Sequence, residues 1–179
     1  SVINTGAKYN DDVFQFSVGL NGVGTKAVNA LSSHFRVIAY REGKYAEATF
    51  SQGNLLSHKK KGTTTEKDGT LVEFEPDEDI FGEYAFNHEF VEKRMSNYAC
   101  LNSGLRLNYN GQKFESKHGL LDLLRTEAGY GMIYEPAYYK AKQLEFALTH
   151  IDGYGESYRS FVNGQYTSDG GTHQSAFRE

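Results

Sequence analysis

Two runs of alternating apolar and polar residues limit the possible folds more than any other feature of the sequence. The segment HFRVIAYREGKYAEATF, residues 34–50, alternates on both sides of a polar turn at residues 41–44. Alternation with a period of two is typical of half-buried β-strands, and the short turn predicts a hairpin. LRLNYNGQKFES, residues 105–116, predicts a second hairpin, because Asn110 and Gly111 form a strong turn signal between strands. The chain is therefore expected to contain antiparallel sheet.

Helices are predicted where apolar residues recur at a period near 3.6. One begins at Val23 and ends near residue 32, a second covers NHEFVEKRMSNYACL at 87–101, and a third covers HGLLDLLRT at 118–126. Each carries an apolar stripe of the kind that packs one helix face on a core. Strands and helices together predict an α+β fold.

The remaining segments predict further strands separated by loops. TLVEFEP at 70–76, QLEFALTHI at 143–151 and SYRSFVNG at 157–164 are expected to be strands, the last two joined by DGYGE. HKKKGTTTEKDGT at 58–70 contains no apolar residue, which favours a solvated loop or a hairpin tip over contact with DNA. EAGYGMIYEPAYYKAK at 127–142 is expected to be a linker, and the last residues are expected to begin a helix.

Composition excludes several classes of protein. The net charge of −4 argues against a freestanding nucleic-acid-binding domain, because such binding depends on Lys and Arg neutralising phosphates. The single cysteine, Cys100, leaves no internal disulfide and fits a reducing, cytoplasmic location. No apolar run is long enough to span a bilayer, so no membrane contact is expected. The six histidines lack H-x-x-x-H spacing, and a zinc site is not expected.

The segment GLNGVG, residues 19–24, directly precedes the first predicted helix. A helix N-terminus presents unpaired N–H groups and a partial positive charge, and glycines let a ligand approach the backbone closely. The two features together can bind a phosphate. The segment lacks the Lys-Ser/Thr of a P-loop, and its spacing is not G-x-G-x-x-G. A flexible turn that only positions the helix remains the alternative.

Several motifs in one order carry a resemblance to a known family. INTGAKY, SVGLNGVGTKAVNALS, DGTLVEFEPD, IDGYGESYRSFVNG and DGGTHQSAFR follow one another along the chain. Their combination resembles the ATPase subunit of bacterial type IIA topoisomerases, which includes the B-subunits of gyrase and topoisomerase IV. SVGLNGVGTKAVNALSS looks more like the topoisomerase IV form. The resemblance covers essentially the whole chain, and we expect the chain to be an internal fragment of such a subunit.

The resemblance implies two partial domains. Residues 1–127 would be the second half of a GHKL-type ATPase domain, with helices on a mixed sheet. Residues 128–179 would begin a ribosomal-S5-like transducer domain. The parent would bind ATP and Mg²⁺, act on DNA with the topoisomerase A-subunit, and dimerise through its ATPase subunit.

The resemblance also implies site residues. The ATP lid would include Gly6 and Lys8, Thr70 would lie beneath the adenine, and the phosphates would be held by Gly19, Leu20, Asn21, Gly22, Val23 and Gly24. Asn21 replaces the histidine usual in the family, so the phosphate loop carries less positive charge. Without nucleotide, residues 1–22 are expected to be mobile or to be held by crystal or dimer contacts.

The family's catalytic glutamate, Mg²⁺-binding asparagine and adenine-binding aspartate would precede Ser1, and the transducer lysine would follow Glu179. No catalytic residue is therefore expected in this chain, and the chain alone is expected to be inactive. A non-catalytic module with the same fold and a MutL-like ATPase remain the alternatives.

Overall fold

A computed structural model of the chain describes residues 22–57 and 60–179. Contacts between Cα atoms divide the chain into two compact units, one ending at Ala85 and the other comprising Phe86–Glu179. The division falls before the helix of residues 88–101. The predicted domain boundary falls after residue 127 and stays a prediction.

The first unit is a sheet flanked by two short helices. Its helices are α1, Gly24–Ala30, and α2, Glu78–Phe81. Its strands are β1, Ser32–Arg41; β2, Lys44–Ser51; β3, Asn54–Leu55; β4, Lys60–Thr63; and β5, Gly69–Pro76. The strand order is β3-β2-β1-β5, and β4 also pairs with β2. Every pairing is antiparallel.

The predicted hairpin at residues 34–50 is confirmed as β1 and β2. Phe35 lies opposite Phe50, and Tyr40 lies opposite Tyr45. The small core of this unit includes the buried side chains of Phe35, Ile38 and Ala48. Phe35 and Ile38 lie on opposite faces of β1, since side chains alternate along a strand. Both faces at the centre of the sheet are therefore partly covered.

The predicted loop at residues 58–70 contains a strand, which corrects the loop prediction in part. β4 pairs with β2 so that Tyr45 lies opposite Gly62. A Cβ atom at Gly62 would lie 2.6 Å from Cε1 of Tyr45, so the tyrosine ring covers the glycine backbone. The strand was missed because backbone bonds to β2 hold it, and an edge strand rich in lysine needs no apolar residues.

The second unit combines helices with three two-stranded ladders. The helices are α3, His88–Leu101; α4, Leu120–Ala128; and α5, Thr172–Arg178, with a 3₁₀ turn at Gly129–Gly131. The strands are β6, Leu107–Tyr109; β7, Gln112–Phe114; β8, Ala137–Lys140; β9, Glu145–Leu148; β10, Phe161–Val162; and β11, Gln165–Tyr166. β6 pairs with β7, β8 with β9 and β10 with β11, all antiparallel.

The helices predicted at 87–101 and 118–126 are present as α3 and α4, and α4 begins and ends two residues later than predicted. Asn87 caps α3, because its side-chain oxygen accepts a hydrogen bond of 3.0 Å from the N–H of Phe90. The buried face of α3 includes Ala99 and Cys100, and α3 packs against α4, in which Leu123 is buried. The hairpin at Asn110 and Gly111 is confirmed as β6 and β7, and α5 confirms the helix expected at the end of the chain.

The strand pairing near residues 127–164 differs from the prediction. The expected linker contains β8, which pairs with β9 around a turn closed by the N–H of Ala141 and the carbonyl of Leu144 at 2.7 Å. Of the strand predicted at residues 157–164, only Phe161–Val162, which is β10, is paired with another strand, and that strand is β11. The linker was misassigned because AYYK has no clear apolar period, whereas its backbone bonds to β9 determine the pairing.

Candidate phosphate-loop site

The structure describes four of the nine residues predicted to bind ATP. Gly22, Val23, Gly24 and Thr70 are described, whereas Gly6, Lys8, Gly19, Leu20 and Asn21 lie outside the described residues. The expectation that residues 1–22 are mobile also falls almost entirely outside them. Of the glycine segment at residues 19–24, the structure therefore describes the last three residues, Gly22, Val23 and Gly24.

The end of the glycine segment leads directly into α1. Gly22 has φ +60°, a left-handed conformation that glycine adopts without strain, and Val23 is the N-cap residue. The first helical bond runs from the N–H of Ala27 to the carbonyl of Val23 at 2.8 Å, and no side chain caps the helix. A Cβ atom at Gly22 or Gly24 would meet no atom within 4 Å. The backbone here is exposed and has open space beside it.

Residues 28–32, with the sequence VNALS, include the end of α1 and attach this helix to the sheet. The hydroxyl of Ser32 donates a 2.5 Å hydrogen bond to the carbonyl of Val28, and Ser32 is almost completely buried. The N–H of Gly53, in the turn between β2 and β3, donates to the carbonyl of Asn29 at 3.1 Å. The N–H of Gln52 donates to the carbonyl of Ser32 at 2.8 Å. The C-terminal end of α1 is therefore held by side-chain and backbone bonds.

A buried carboxylate extends this support to α2. Asp77 is 4% exposed and accepts hydrogen bonds from Nε2 of Gln52 at 2.5 Å and from the N–H of Asp79 at 3.0 Å. Its own N–H donates to the carbonyl of Leu31 at 3.0 Å. Sequence reasoning missed this network, since Gln52 and Asp77 lie far apart in the chain. The only sequence signal was the VNALS motif.

Thr70 lies near the start of β5, away from the end of the strand next to α1. It is exposed and lies opposite Ala39 of β1. Pro76, at the other end of β5, lies opposite Ser32, the first residue of β1, two residues after the end of α1. Pro76 lies six positions after Thr70 along the strand, which corresponds to roughly 20 Å. Among the described residues, no hydrogen bond joins Thr70 to Gly22, Val23 or Gly24.

The titratable groups with shifted pKa values serve structural roles. Burial raises the pKa of the Cys100 thiol. Burial alone would also raise the pKa of Asp122, but hydrogen bonds from the Ser116 hydroxyl at 2.7 Å and the His118 N–H at 3.0 Å lower it overall. Hydrogen bonds to Glu47 and Glu73 raise the pKa of Arg36, which joins β1 to both neighbouring strands.

The described residues contain no group of three or more His, Cys, Asp or Glu side chains placed to hold a metal ion. Within the same residues, no helix is both long and apolar enough to cross a membrane.

Comparison with known proteins decides the family. The family model described as DNA gyrase B matches residues 86–179, which is more than half of the chain. The chain belongs to the DNA gyrase B family. The family assignment confirms the resemblance drawn from the sequence motifs.

Relatives of the DNA gyrase B family match along essentially the whole chain. The B-subunit of DNA topoisomerase 4 from Borreliella burgdorferi is 61% identical over 100% of this chain and 30% of the relative. The B-subunit of DNA gyrase from Campylobacter jejuni is 35% identical over 99% of this chain and 24% of the relative. The chain thus spans less than a third of the length of these two relatives.

A solved structure supports the fold assignment. The 43K ATPase domain of Thermus thermophilus gyrase B, solved in complex with an aminocoumarin, has a TM-score of 0.73 and 31% identity. The similarity covers 87% of this chain and 46% of that chain. The fold is therefore α+β of the GHKL type, as predicted. The sheet was expected to be mixed, but every ladder among the described residues is antiparallel.

Proposed function

We propose that this chain is an internal part of the ATP-binding subunit of a type IIA DNA topoisomerase, with topoisomerase IV favoured over gyrase. The 61% identity to the B-subunit of a topoisomerase 4 along the whole chain carries this proposal. The lower identity of 35% to the B-subunit of a gyrase over the same length supports the preference for topoisomerase IV. The parent is then a cytoplasmic isomerase that passes one DNA duplex through another, driven by ATP.

The proposed contribution of this chain to that activity is one wall of the nucleotide pocket. Gly19, Leu20, Asn21, Gly22, Val23 and Gly24 hold the phosphates through backbone N–H groups. Gly6 and Lys8 belong to a lid over the nucleotide, and Lys8 meets the phosphate charge as a flexible cation. Thr70 lies beneath the adenine. The open space beside Gly22 and Gly24 supports the loop assignment, because a phosphate can approach that backbone closely.

The anchoring of α1 gives a physical reason for the loop's position. Phosphate binding by backbone N–H groups needs those groups held in place before the ligand arrives. Ser32 and Asp77 are buried and hydrogen bonded, and both hold the C-terminal end of α1. The start of α1 at Gly24, about two turns of helix away, is thereby fixed relative to the sheet.

The remaining parts of the proposed site lie in the rest of the subunit. The catalytic glutamate, the asparagine that binds Mg²⁺ and the aspartate that binds adenine are assigned to parts of the subunit outside this chain. Residues 1–127 are assigned to the GHKL domain and residues 128–179 to the transducer domain. A nucleotide that contacts lid and transducer only in the closed state shifts the population toward closure. DNA, the topoisomerase A-subunit and a second ATP-binding subunit are the proposed partners.

The decisive experiment uses the whole ATP-binding subunit together with the A-subunit. ATP-dependent decatenation of interlinked DNA circles is expected, with little ATP-dependent negative supercoiling of relaxed DNA. Dominant supercoiling would instead identify a gyrase. Absence of both activities and of ATP hydrolysis would identify a non-catalytic module and refute the proposal.

A second experiment concerns the chain by itself. The chain alone supplies N–H donors for the phosphates, but not the aspartate proposed to bind adenine or the asparagine proposed to bind Mg²⁺. It is therefore expected to bind a non-hydrolysable ATP analogue only weakly. Calorimetry measures the affinity directly. A dissociation constant below about 1 μM would show that the site is complete within these residues.

A further inference from the structure

A pocket lies in the unit Phe86–Glu179, and the proposed ATP site does not include it. It has a volume of about 270 Å³ and lies between α3, α4 and the β10-β11 hairpin. At roughly 30 Å³ for each water of the liquid, the space corresponds to about nine waters. That space can hold one fused aromatic ring system and a charged substituent.

Four of the residues that line the pocket are apolar or aromatic. Leu123 of α4, which is 6% exposed, is one of them. Phe90 of α3 is 59% exposed, and Tyr166 of β11 is 42% exposed. The rings of Phe161 and Tyr166 pack with centroids 5.7 Å apart. The aromatic surface is therefore available to a planar ligand on two sides of the pocket.

Cations without carboxylate partners lie at the edge of the pocket. Lys93 and Arg94 follow Phe90 on α3, and among the described residues no carboxylate lies within 4.0 Å of either. The guanidinium of Arg94 lies 5.2 Å from the centroid of the Phe90 ring. Asn97, one turn after Lys93 on the same helix, adds an amide group. An anion at this edge would therefore meet two positive charges and further hydrogen-bonding capacity.

A third cation is already held in a fixed orientation. Nη2 of Arg159 pairs with Glu127 at 3.1 Å, and its Nη1 donates to the Tyr166 hydroxyl at 3.2 Å. The same guanidinium lies 5.6 Å from the centroid of the Tyr166 ring. Glu127 neutralises Arg159, so Lys93 and Arg94 leave the pocket with a net positive charge.

We propose that the pocket between α3, α4 and the β10-β11 hairpin binds a small organic anion in which a carboxylate or phosphate is attached to an aromatic ring. The ring lies over Leu123 between Phe90 and Phe161, and the anionic group meets Lys93 and Arg94. Neither part suffices alone. An inorganic anion leaves the aromatic surface uncovered, and a neutral ring leaves the two cations unpaired.

The test is a titration of the full chain with 1-naphthyl phosphate, followed by the chemical shifts of backbone amides. Saturable binding is expected with a dissociation constant of about 0.5 mM, a value typical of a ligand of this size. Inorganic phosphate and 1-naphthol, which supply the charge and the ring separately, are expected to bind at least about fivefold more weakly. The proposal is overturned if inorganic phosphate or 1-naphthol binds as tightly as 1-naphthyl phosphate. It is also overturned if 1-naphthyl phosphate does not saturate the chain by about 10 mM.

A pair of double variants locates the site. Lys93→Gln with Arg94→Gln is expected to raise the dissociation constant about fivefold or more, because two charge-assisted contacts are lost. Lys113→Gln with Lys142→Gln changes the net charge equally, outside the pocket lining, and is expected to leave the affinity unchanged. Thermal unfolding shows that both variants remain folded. Equal weakening by the two pairs, or binding that survives loss of Lys93 and Arg94, places the probe elsewhere and refutes the proposal.

Discussion

Gly119, at the start of α4, lies where a side chain is excluded both by backbone conformation and by neighbouring atoms. It has φ +60°, and its N–H donates a 2.8 Å hydrogen bond to the hydroxyl of Ser116. A Cβ atom there would lie 2.9 Å from Oγ of Ser103 and 3.3 Å from the carbonyl oxygen of Cys100. The substitution Gly119→Ala therefore combines backbone strain with overpacking.

The cost of Gly119→Ala follows from these two effects. A non-glycine residue in a sparsely populated backbone conformation costs about 1–3 kcal/mol, and overpacking adds about 1–3 kcal/mol. Gly129→Ala is the matched control, because Gly129 has φ +61° at the other end of the same helix and no atom within 4 Å of a built Cβ. The difference between the two variants therefore measures the overpacking alone.

The assay is urea and thermal unfolding followed by circular dichroism. Gly119→Ala is expected to be less stable than Gly129→Ala by about 1–3 kcal/mol, or about 2–12 °C in the unfolding midpoint. Adding Ser103→Ala to Gly119→Ala is expected to recover part of the loss, since it removes the nearest atom. Stabilities of the two glycine variants within about 0.5 kcal/mol of each other, or no recovery with Ser103→Ala, would refute the packing argument.

Three further predictions follow from the described contacts. Asp122→Ala is expected to lose about 1–2 kcal/mol at pH 7. Because the folded-state pKa of Asp122 is lowered, its contribution is present above the unfolded-state pKa and is lost as the pH falls below about 4, so the two proteins should converge in urea unfolding at low pH. Arg36→Gln is expected to lower the thermal midpoint, with a smaller loss in about 1 M salt, because it removes ion pairs to Glu47 and Glu73. Cys100 is expected to react with a thiol reagent at least about tenfold more slowly in the native than in the unfolded chain, because it is buried and its pKa is raised.

Local sequence patterns predicted the strands and helices whose structure is determined by residues within one short segment. The hairpins at 34–50 and 105–116 were predictable because alternation and turn residues occur within one short segment. α3 was predictable because its cap, Asn87, and its apolar stripe lie within one segment. The strands β4 and β8 were not, because each is held by backbone bonds to a neighbouring strand rather than by its own apolar period.

The sequence predicted which residues form the candidate phosphate loop. It did not predict the hydrogen bonds that hold α1 in place. The glycine segment was assigned to phosphate binding through its chemistry and through the order of the family motifs. The bonds that hold α1 involve Gln52 and Asp77, which lie 28 and 53 residues beyond Gly24, the last residue of the glycine segment. No spacing rule relates positions so far apart, because the fold alone brings them together.

The central claim is that the backbone at the end of GLNGVG holds the phosphates of ATP, and Gly24→Val in the whole ATP-binding subunit tests it most directly. A side chain at Gly24 meets open space in the chain itself, so the fold should be unaffected, whereas a phosphate close to that backbone would be displaced. Gly153→Val is the matched control, since Gly153 also has open space around it.

Calorimetry with a non-hydrolysable ATP analogue gives the affinities of both variants. Gly24→Val is expected to weaken binding about tenfold or more, because charge-assisted hydrogen bonds are lost, while its unfolding midpoint and the affinity of Gly153→Val stay unchanged. Equal affinities of Gly24→Val and Gly153→Val would contradict the claim.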